Sequence, residues 1–308
     1  MILLCGIPSE TPMALVREQL DEIGARYVFF NQRRFADAEL TYEIAAGRTS
    51  GRLRLNGDGY ALEDFTAVFT RMMDDRCLPE LEGEPEGSAK RRGCRALHDA
   101  VLRWTEITSA RVVNRAVPMG SNYSKPYQSQ LIRRHGFEIP STLITNDPEL
   151  AAAFRERHGR VIYKSISGVR SIVQTLEDKD MKRLNLIRLC PTQFQEFVEG
   201  TNVRVHTIGG RVFATAVSTD ATDYRYAHRQ TGDPANLREV ELSDWLAERC
   251  LNLARSLDLA FAGIDLKVTP DNRVYCFEVN PSPAYSYYEG HTHQPISRAV
   301  AEYLAGAD

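Results

Sequence analysis

Two short apolar runs near the carboxyl end, GIDLKV at positions 263–268 and VYCFEVN at positions 274–280, flank the segment TPDNR and carry Asp265, Glu278 and Asn280. Pro270, Asp271 and Asn272 are residues that tight turns use, Pro for its preset φ and Asp or Asn for tolerance of left-handed geometry. A β-hairpin is therefore predicted. With the turn centred between Asp271 and Asn272, position 265 falls opposite position 278, roughly 5 Å away at Cβ, and the two-residue repeat of a strand puts Asn280 on the face of Glu278. Two carboxylates so placed repel each other. On strands this apolar, a hard divalent cation held by Asp, Glu and an Asn carbonyl oxygen removes the conflict. So sparse an all-oxygen set suits Mg²⁺, which keeps waters and takes the rest of its coordination from phosphates. A lone acid in a strand is more often simply solvated; three oxygen-bearing side chains in register point to metal.

At 308 residues the chain can bury about three quarters of its unfolded surface, enough for two or three subdomains. Its 38 basic and 41 acidic residues leave a net charge of −3, so no global field directs it to nucleic acid or membrane. Cys5, Cys77, Cys94, Cys190, Cys250 and Cys276 show no CxxC spacing, which predicts reduced thiols in a cytoplasmic protein. The start MILLCGIPSE has neither a basic leader nor a long apolar stretch, and no run of about 18 apolar residues follows.

ILLCGIP, TPMALVREQLDEIGA and RYVFFN read as strand, amphipathic helix and strand, the start of a parallel α/β unit. The polar stretch ELEGEPEGSAKRRG is an exposed connection into a helix from about Ala89 to Thr108. A second unit starts near Pro118, with a helix closed by Gly136, another capped by Asn146 or Asp147 with Pro148 in its first turn, and the strand RVIYKSI. The third holds TQFQEFVE paired with NVRVHTI, a hairpin at Gly209-Gly210, a helix, the metal hairpin and a closing helix from Pro295 to Leu304. The expected division is residues 1–113, 114–190 and 191–308.

The hairpin, taken with Lys125, Lys164 and QEFVEG, resembles the ATP-grasp superfamily of carboxylate ligases, in particular its RimK-like branch, from about Asn114 to Leu304 in unbroken order. IPSTLITNDP, CPTQFQEFVEG and the DYR ending at Arg225 are most similar to graspetide ligases, which cross-link ribosomally made peptides. The resemblance implies a small α/β domain that recognises substrate, then a two-subdomain grasp fold. It implies ATP and two Mg²⁺ as cofactors, with Mn²⁺ as a substitute, bound by Asp265, Glu278 and Asn280.

The remaining roles follow from the same resemblance. Lys164 ends the strand VIYK beside Ser165, Ser167 and Gly168, a point cation next to backbone N–H groups where phosphates would sit. The loop SISGVRS has one Gly where the family's lid is Gly-rich, and Arg170 supplies charge instead. Lys125 would reach the nucleotide from the opposite side. Gln195, Glu196, Phe197, Val198 and Glu199 form the implied adenine hinge, read through the backbone of Glu196 and Val198 and the ring of Phe197, with Glu199 favoured over Asn202 at the ribose. Arg204 and Arg225 would hold a γ-phosphate or acyl phosphate through their planar forks. His206, on the face of Arg204, is assigned no catalytic role; Tyr226, His228 and Arg229 are weak substrate-binding candidates, as are Ser282, Tyr285, Tyr287 and Tyr288.

These residues predict an ATP-dependent ligase that activates a carboxylate as an acyl phosphate and joins it to an amine or hydroxyl, on a peptide or protein. Kinase-type phosphoryl transfer and a non-catalytic nucleotide-binding scaffold are the alternatives. No nucleic acid or membrane partner is expected, and an edge strand or the second helix offers a surface for a homodimer. Arg33, Arg34 and Arg71 could dock an acidic peptide, with solvated surface arginines the favoured reading.

Overall fold

The computed structural model describes residues 1–166, 173–219 and 235–307. The first 113 residues contain β1 (Ile2–Gly6), β2 (Tyr27–Asn31), β3 (Ala38–Ala45), β4 (Arg48–Leu55), β5 (Asp58–Ala61), β6 (Ala67–Arg71) and β7 (Arg111–Val113). Strands β2, β1, β6 and β7 form a parallel sheet in that order. Its strands read as unbroken apolar runs because both faces are covered. Leu4 and Phe69 meet Met13, Val16 and Leu20 of the helix Thr11–Glu22 and Val300 and Leu304 of the closing helix Ile296–Ala305. Leu3, Cys5 and Val68 meet Val101 and Trp104 of the helix Ala89–Ile107. Strands β3, β4 and β5 make a separate antiparallel sheet whose turns, Ala46-Gly47 and Asn56-Gly57, have positive φ at both positions.

The next sheet runs β10 (Gln174–Thr175), β9 (Val161–Ser165), β11 (Thr192–Glu196), β8 (Thr142–Thr145), with the helix Pro148–His158 over it, its start capped by Asp147. The last runs β14 (Asn236–Val240), β13 (Arg211–Ser218), β12 (Thr201–Ile208), β15 (Phe261–Val268), β16 (Val274–Asn280). One face of it, through Val205, Ile264 and Val279, packs on Leu246, Cys250 and Leu253 of the helix Asp244–Ser256. The opposite face carries Arg204, Asp265 and Glu278.

One expected pairing is overturned. Thr192–Glu196 joins β8 and β9, not β12. Gly200 explains the break: its φ is +146°, and a Cβ there would run into the Val268 carbonyl, so the chain passes from one sheet to the next at a point only glycine can occupy.

β16 is an edge strand, yet its edge is not left bare. Glu138 exchanges backbone bonds with Val274 and Cys276 (3.0 and 2.9 Å). Further along, the Gln128 amide stands in for a strand, donating to the Val279 carbonyl (2.8 Å) and accepting the Val279 N–H (3.0 Å). Removing it with Gln128→Met orphans two buried backbone groups, a loss of about 2–4 kcal/mol. Urea unfolding followed by circular dichroism should show that loss.

Candidate functional site

The hairpin register at the site agrees with the expectation, by an unexpected route. Near the turn the pairs are Val268 with Val274 and Leu266 with Cys276; a bulge then inserts Phe277, and only beyond it does Asp265 face Glu278 and Gly263 face Asn280. The bulge also places Phe277 and Glu278 together on the wall of one cavity. Asn114 holds the hairpin's far ends: its amide donates to the carbonyls of Phe261 and Pro281 (2.6 Å each) and accepts the Phe261 N–H (3.1 Å).

Each carboxylate has its own cation. Arg204, 5% exposed and paired with Asp265 across β12 and β15, donates from Nη1 to Asp265 Oδ1 at 2.7 Å. Lys125, at the start of the helix Lys125–Arg134, donates to Glu278 and to Asn122 Oδ1 (2.6 Å). Asn280 Oδ1 accepts the Ser282 N–H at 2.9 Å and keeps a second lone pair. Among the described residues no third Asp, Glu, His or Cys joins the acids. The donors are thus all oxygen, two of them anionic, with the balancing charge now supplied by side chains. Such a set fits a small, hard divalent cation that draws its remaining ligands from solvent and substrate.

A cavity extends from these acids between the two sheets. Lys164, Gln195, Phe197, Val198, Asn202 and Arg204 line it with Asp265 and Glu278. Gln195 is fixed by donating to Thr142 Oγ1 (2.9 Å). Glu199 lies outside the wall, its side chain 78% exposed and nearest Arg160, so of the two ribose candidates Asn202 is the one that faces the cavity. The hinge is partly committed: the Glu196 N–H donates to the Ser141 carbonyl (3.0 Å), and the Val198 carbonyl accepts from Lys267 Nζ (3.0 Å). Ser167, Gly168, Arg170, Arg225, Tyr226, His228 and Arg229 lie outside the described residues.

Lys267 was missed by sequence reasoning. Its Nζ lies 5.1 Å from the Phe197 ring centre, and Arg160 stacks on that ring at 3.5 Å. Burial, helped by Arg160, lowers the Lys267 pKa. A signal existed in the odd lysine of GIDLKV, two residues from Asp265 and therefore on its face. Asn114 and Gln128 gave no such signal, since nothing local marks an amide as a backbone clamp. Tyr285 and Tyr288 are packing residues: Tyr285 is fully buried and donates to the Pro12 carbonyl (2.5 Å), and Tyr288 stacks edge-on to His206 at 5.0 Å.

A model of the RimK-like ATP-grasp domain matches residues 123–304, and the chain belongs to that family of ATP-grasp ligases. It is 24% identical over 218 residues to a probable alpha-L-glutamate ligase of Shewanella amazonensis, covering 68% of this chain and 71% of that protein. The fold is similar to a RiPP-associated ATP-grasp ligase of Chryseobacterium gregarium solved with ADP and a leader and core peptide, with a TM-score of 0.83, 22% identity and 100% and 97% of the two chains covered. It is also similar to the ATP-grasp ligase PsnB solved with a minimal precursor, Mg and ADP: TM-score 0.78, 27% identity, coverage 99% and 96%. Among the described residues no helix is long and apolar enough to cross a membrane.

A Cβ at Gly263 would run into the Arg204 guanidinium and Pro283, so Gly263→Ala should push Arg204 off Asp265 and lower turnover roughly 100-fold, the scale of losing one preorganised donor, in an ADP-release assay. Burial, with Arg204 adding to it, holds the His206 pKa well below its ordinary 6.5. The unfolded chain takes up this proton near pH 6.5 and the folded chain does not, so stability is full above that pH and falls below it, by up to about 1.4 kcal/mol per pH unit. Melting curves from pH 7 to pH 5 should show the decline, and His206→Gln should flatten it.

Proposed function

We propose that the protein uses ATP and Mg²⁺ to activate a carboxylate as an acyl phosphate and then joins it to an amine or hydroxyl, with a peptide or protein as substrate. The observation that carries the reading is the Asp265–Glu278 pair, two like charges set opposite each other and balanced by Arg204 and Lys125 at the mouth of a cavity lined by Lys164. The PsnB complex with Mg, ADP and a minimal precursor supports the cofactors and a peptide substrate, and the glutamate-ligase relatives support carboxylate chemistry.

In this reading the base lies against Phe197, with the Glu196 carbonyl and the Val198 N–H as its hinge contacts and Asn202 at the ribose. Lys164 and Lys125 hold phosphates. Asp265, Glu278 and the Asn280 carbonyl would hold Mg²⁺, which when bound draws charge from the phosphate oxygens. Arg204 orients the transferring phosphoryl group. The substrate carboxylate oxygen attacks the γ-phosphorus, and the bond to the bridging oxygen breaks toward ADP. An amine or hydroxyl then attacks the acyl carbon, loses its proton, and phosphate leaves with the former carboxylate oxygen. No covalent bond to the protein is needed, so catalysis rests on alignment and charge neutralisation.

Glu278→Gln should cut ADP formation at least about 100-fold while leaving the melting temperature within a few degrees, the pattern of a residue whose part is charge in the transition state. Near-normal ADP release by that variant would refute the assignment. Hydroxylamine added to the wild-type reaction, with no acceptor present, should yield a hydroxamate, as an acyl phosphate does and a phosphorylated hydroxyl does not.

A further inference from the structure

Two cavities, of about 520 and about 470 Å³, meet at the carboxyl-terminal edge of the parallel sheet and share Arg71, Met72, Met73 and Ser282. Their walls come from the segments that follow β1, β2, β6 and β7. From β1 the chain goes first to β2 on one side and later to β6 on the other. The crevice beyond the strand ends at such a switch of direction is where open parallel sheets bind ligands. Ser282 places this crevice beside the proposed metal site, because its N–H donates to Asn280 Oδ1.

Arg71, at the end of β6, is not the solvated surface arginine that the sequence suggested: its side chain is 8% exposed. Nη1 donates to Ser282 Oγ (3.1 Å) and the Pro283 carbonyl (3.2 Å). Nε and Nη2 both donate to one oxygen, Oε1 of Glu10, at 3.0 and 2.7 Å. That arrangement falls short of the two-oxygen fork an arginine can make with a carboxylate. Glu10 is 34% exposed in its side chain and occupies the N-cap of the helix Thr11–Glu22 without making a capping bond. Displaced from Arg71, its carboxylate has solvent and the N–H groups of that first turn to receive it.

We propose that Arg71 is the docking residue for the carboxylate-bearing side chain of the substrate in this crevice, and that Glu10 is an internal stand-in which that carboxylate displaces. The proposal rests on the ligase reading above and names where its carboxylate substrate binds. A buried guanidinium needs an anion at all times, and the exchange keeps one there while improving its geometry.

Cys77 lines the first cavity and is exposed; Cys190 is also exposed, and the other four cysteines are buried. In a Cys190→Ser background, alkylation of Cys77 by iodoacetamide, read by intact mass, therefore reports occupancy of the crevice. Acetyl-triglutamyl amide should slow that alkylation and acetyl-triglutaminyl amide should not. Glu10→Gln, which removes the competitor, should lower the half-protecting concentration roughly ten-fold, and Arg71→Lys, which cannot form the fork, should raise it by a similar factor. A Glu10→Gln variant that protects more weakly would show that Glu10 merely props Arg71 and would overturn the proposal, as would no protection in the parent protein or equal protection by the glutamine peptide. Calorimetry with MgADP on the same proteins confirms that each variant is folded. A parent that protects Cys77 but binds no MgADP sinks the ligase reading alone; one that binds MgADP but gives no protection sinks the docking proposal alone.

Discussion

The like-charge pair of Asp265 and Glu278 is the constraint around which the carboxyl-terminal sheet is arranged. Two unit charges about 5 Å apart repel by about 3 kcal/mol at the effective dielectric of a protein surface. Each acid is held by a cation from another element. Arg204 from β12 bonds Asp265, and Lys125 from the helix that begins at residue 125 bonds Glu278. The four groups sum to zero charge, so the hairpin folds with its acids facing each other. In the proposed mechanism a bound divalent cation takes over part of this balance, and Lys125 becomes available to phosphate.

Holding this pair in place needs structure in two further layers. Gln128 and Asn114 use their amides as substitute strands, gripping Val279 on one side and Phe261 with Pro281 on the other, so both ends of the segment carrying Glu278 and Asn280 are fixed. Gly263 leaves room for the Arg204 guanidinium, and Gly200 lets the chain cross between sheets beside Val268. None of these residues is charged. They convert a flexible edge strand into a rigid support, which matters because electrostatic catalysis depends on groups that do not have to reorganise.

The closing helix Ile296–Ala305 ties the site to the amino-terminal sheet by packing against the helix Thr11–Glu22. That contact brings the carboxyl ends of β1 and β6 up to the loop after Asn280, where Arg71 bonds to Ser282 and Pro283. The proposed sites for nucleotide and carboxylate then share one boundary, with Asn280 on one side and Arg71 on the other.

The sequence alone determined much of this, because turn chemistry and strand periodicity are local. TPDNR and the alternation around it were enough to place Asp265 and Glu278 on facing strands of one hairpin, although the bulge at Phe277 that sets them opposite each other is not legible there, and the order of motifs from Lys125 to Asn280 was enough to name the family. Arg71 is buried where the favoured reading had it solvated, the strand ending at Glu196 pairs elsewhere than expected, and Lys267, Asn114 and Gln128 carry no local signal strong enough to single them out. Each error has the same physical origin. Whether an arginine is solvated or buried, whether an amide faces water or a strand edge, and which edge a strand finds are decided by residues tens to hundreds of positions away. Arg71 is separated from Ser282 by 211 positions, Asn114 from Pro281 by 167 and Gln128 from Val279 by 151. Only the packed tertiary structure brings such partners within bonding distance, so only it settled what those side chains do.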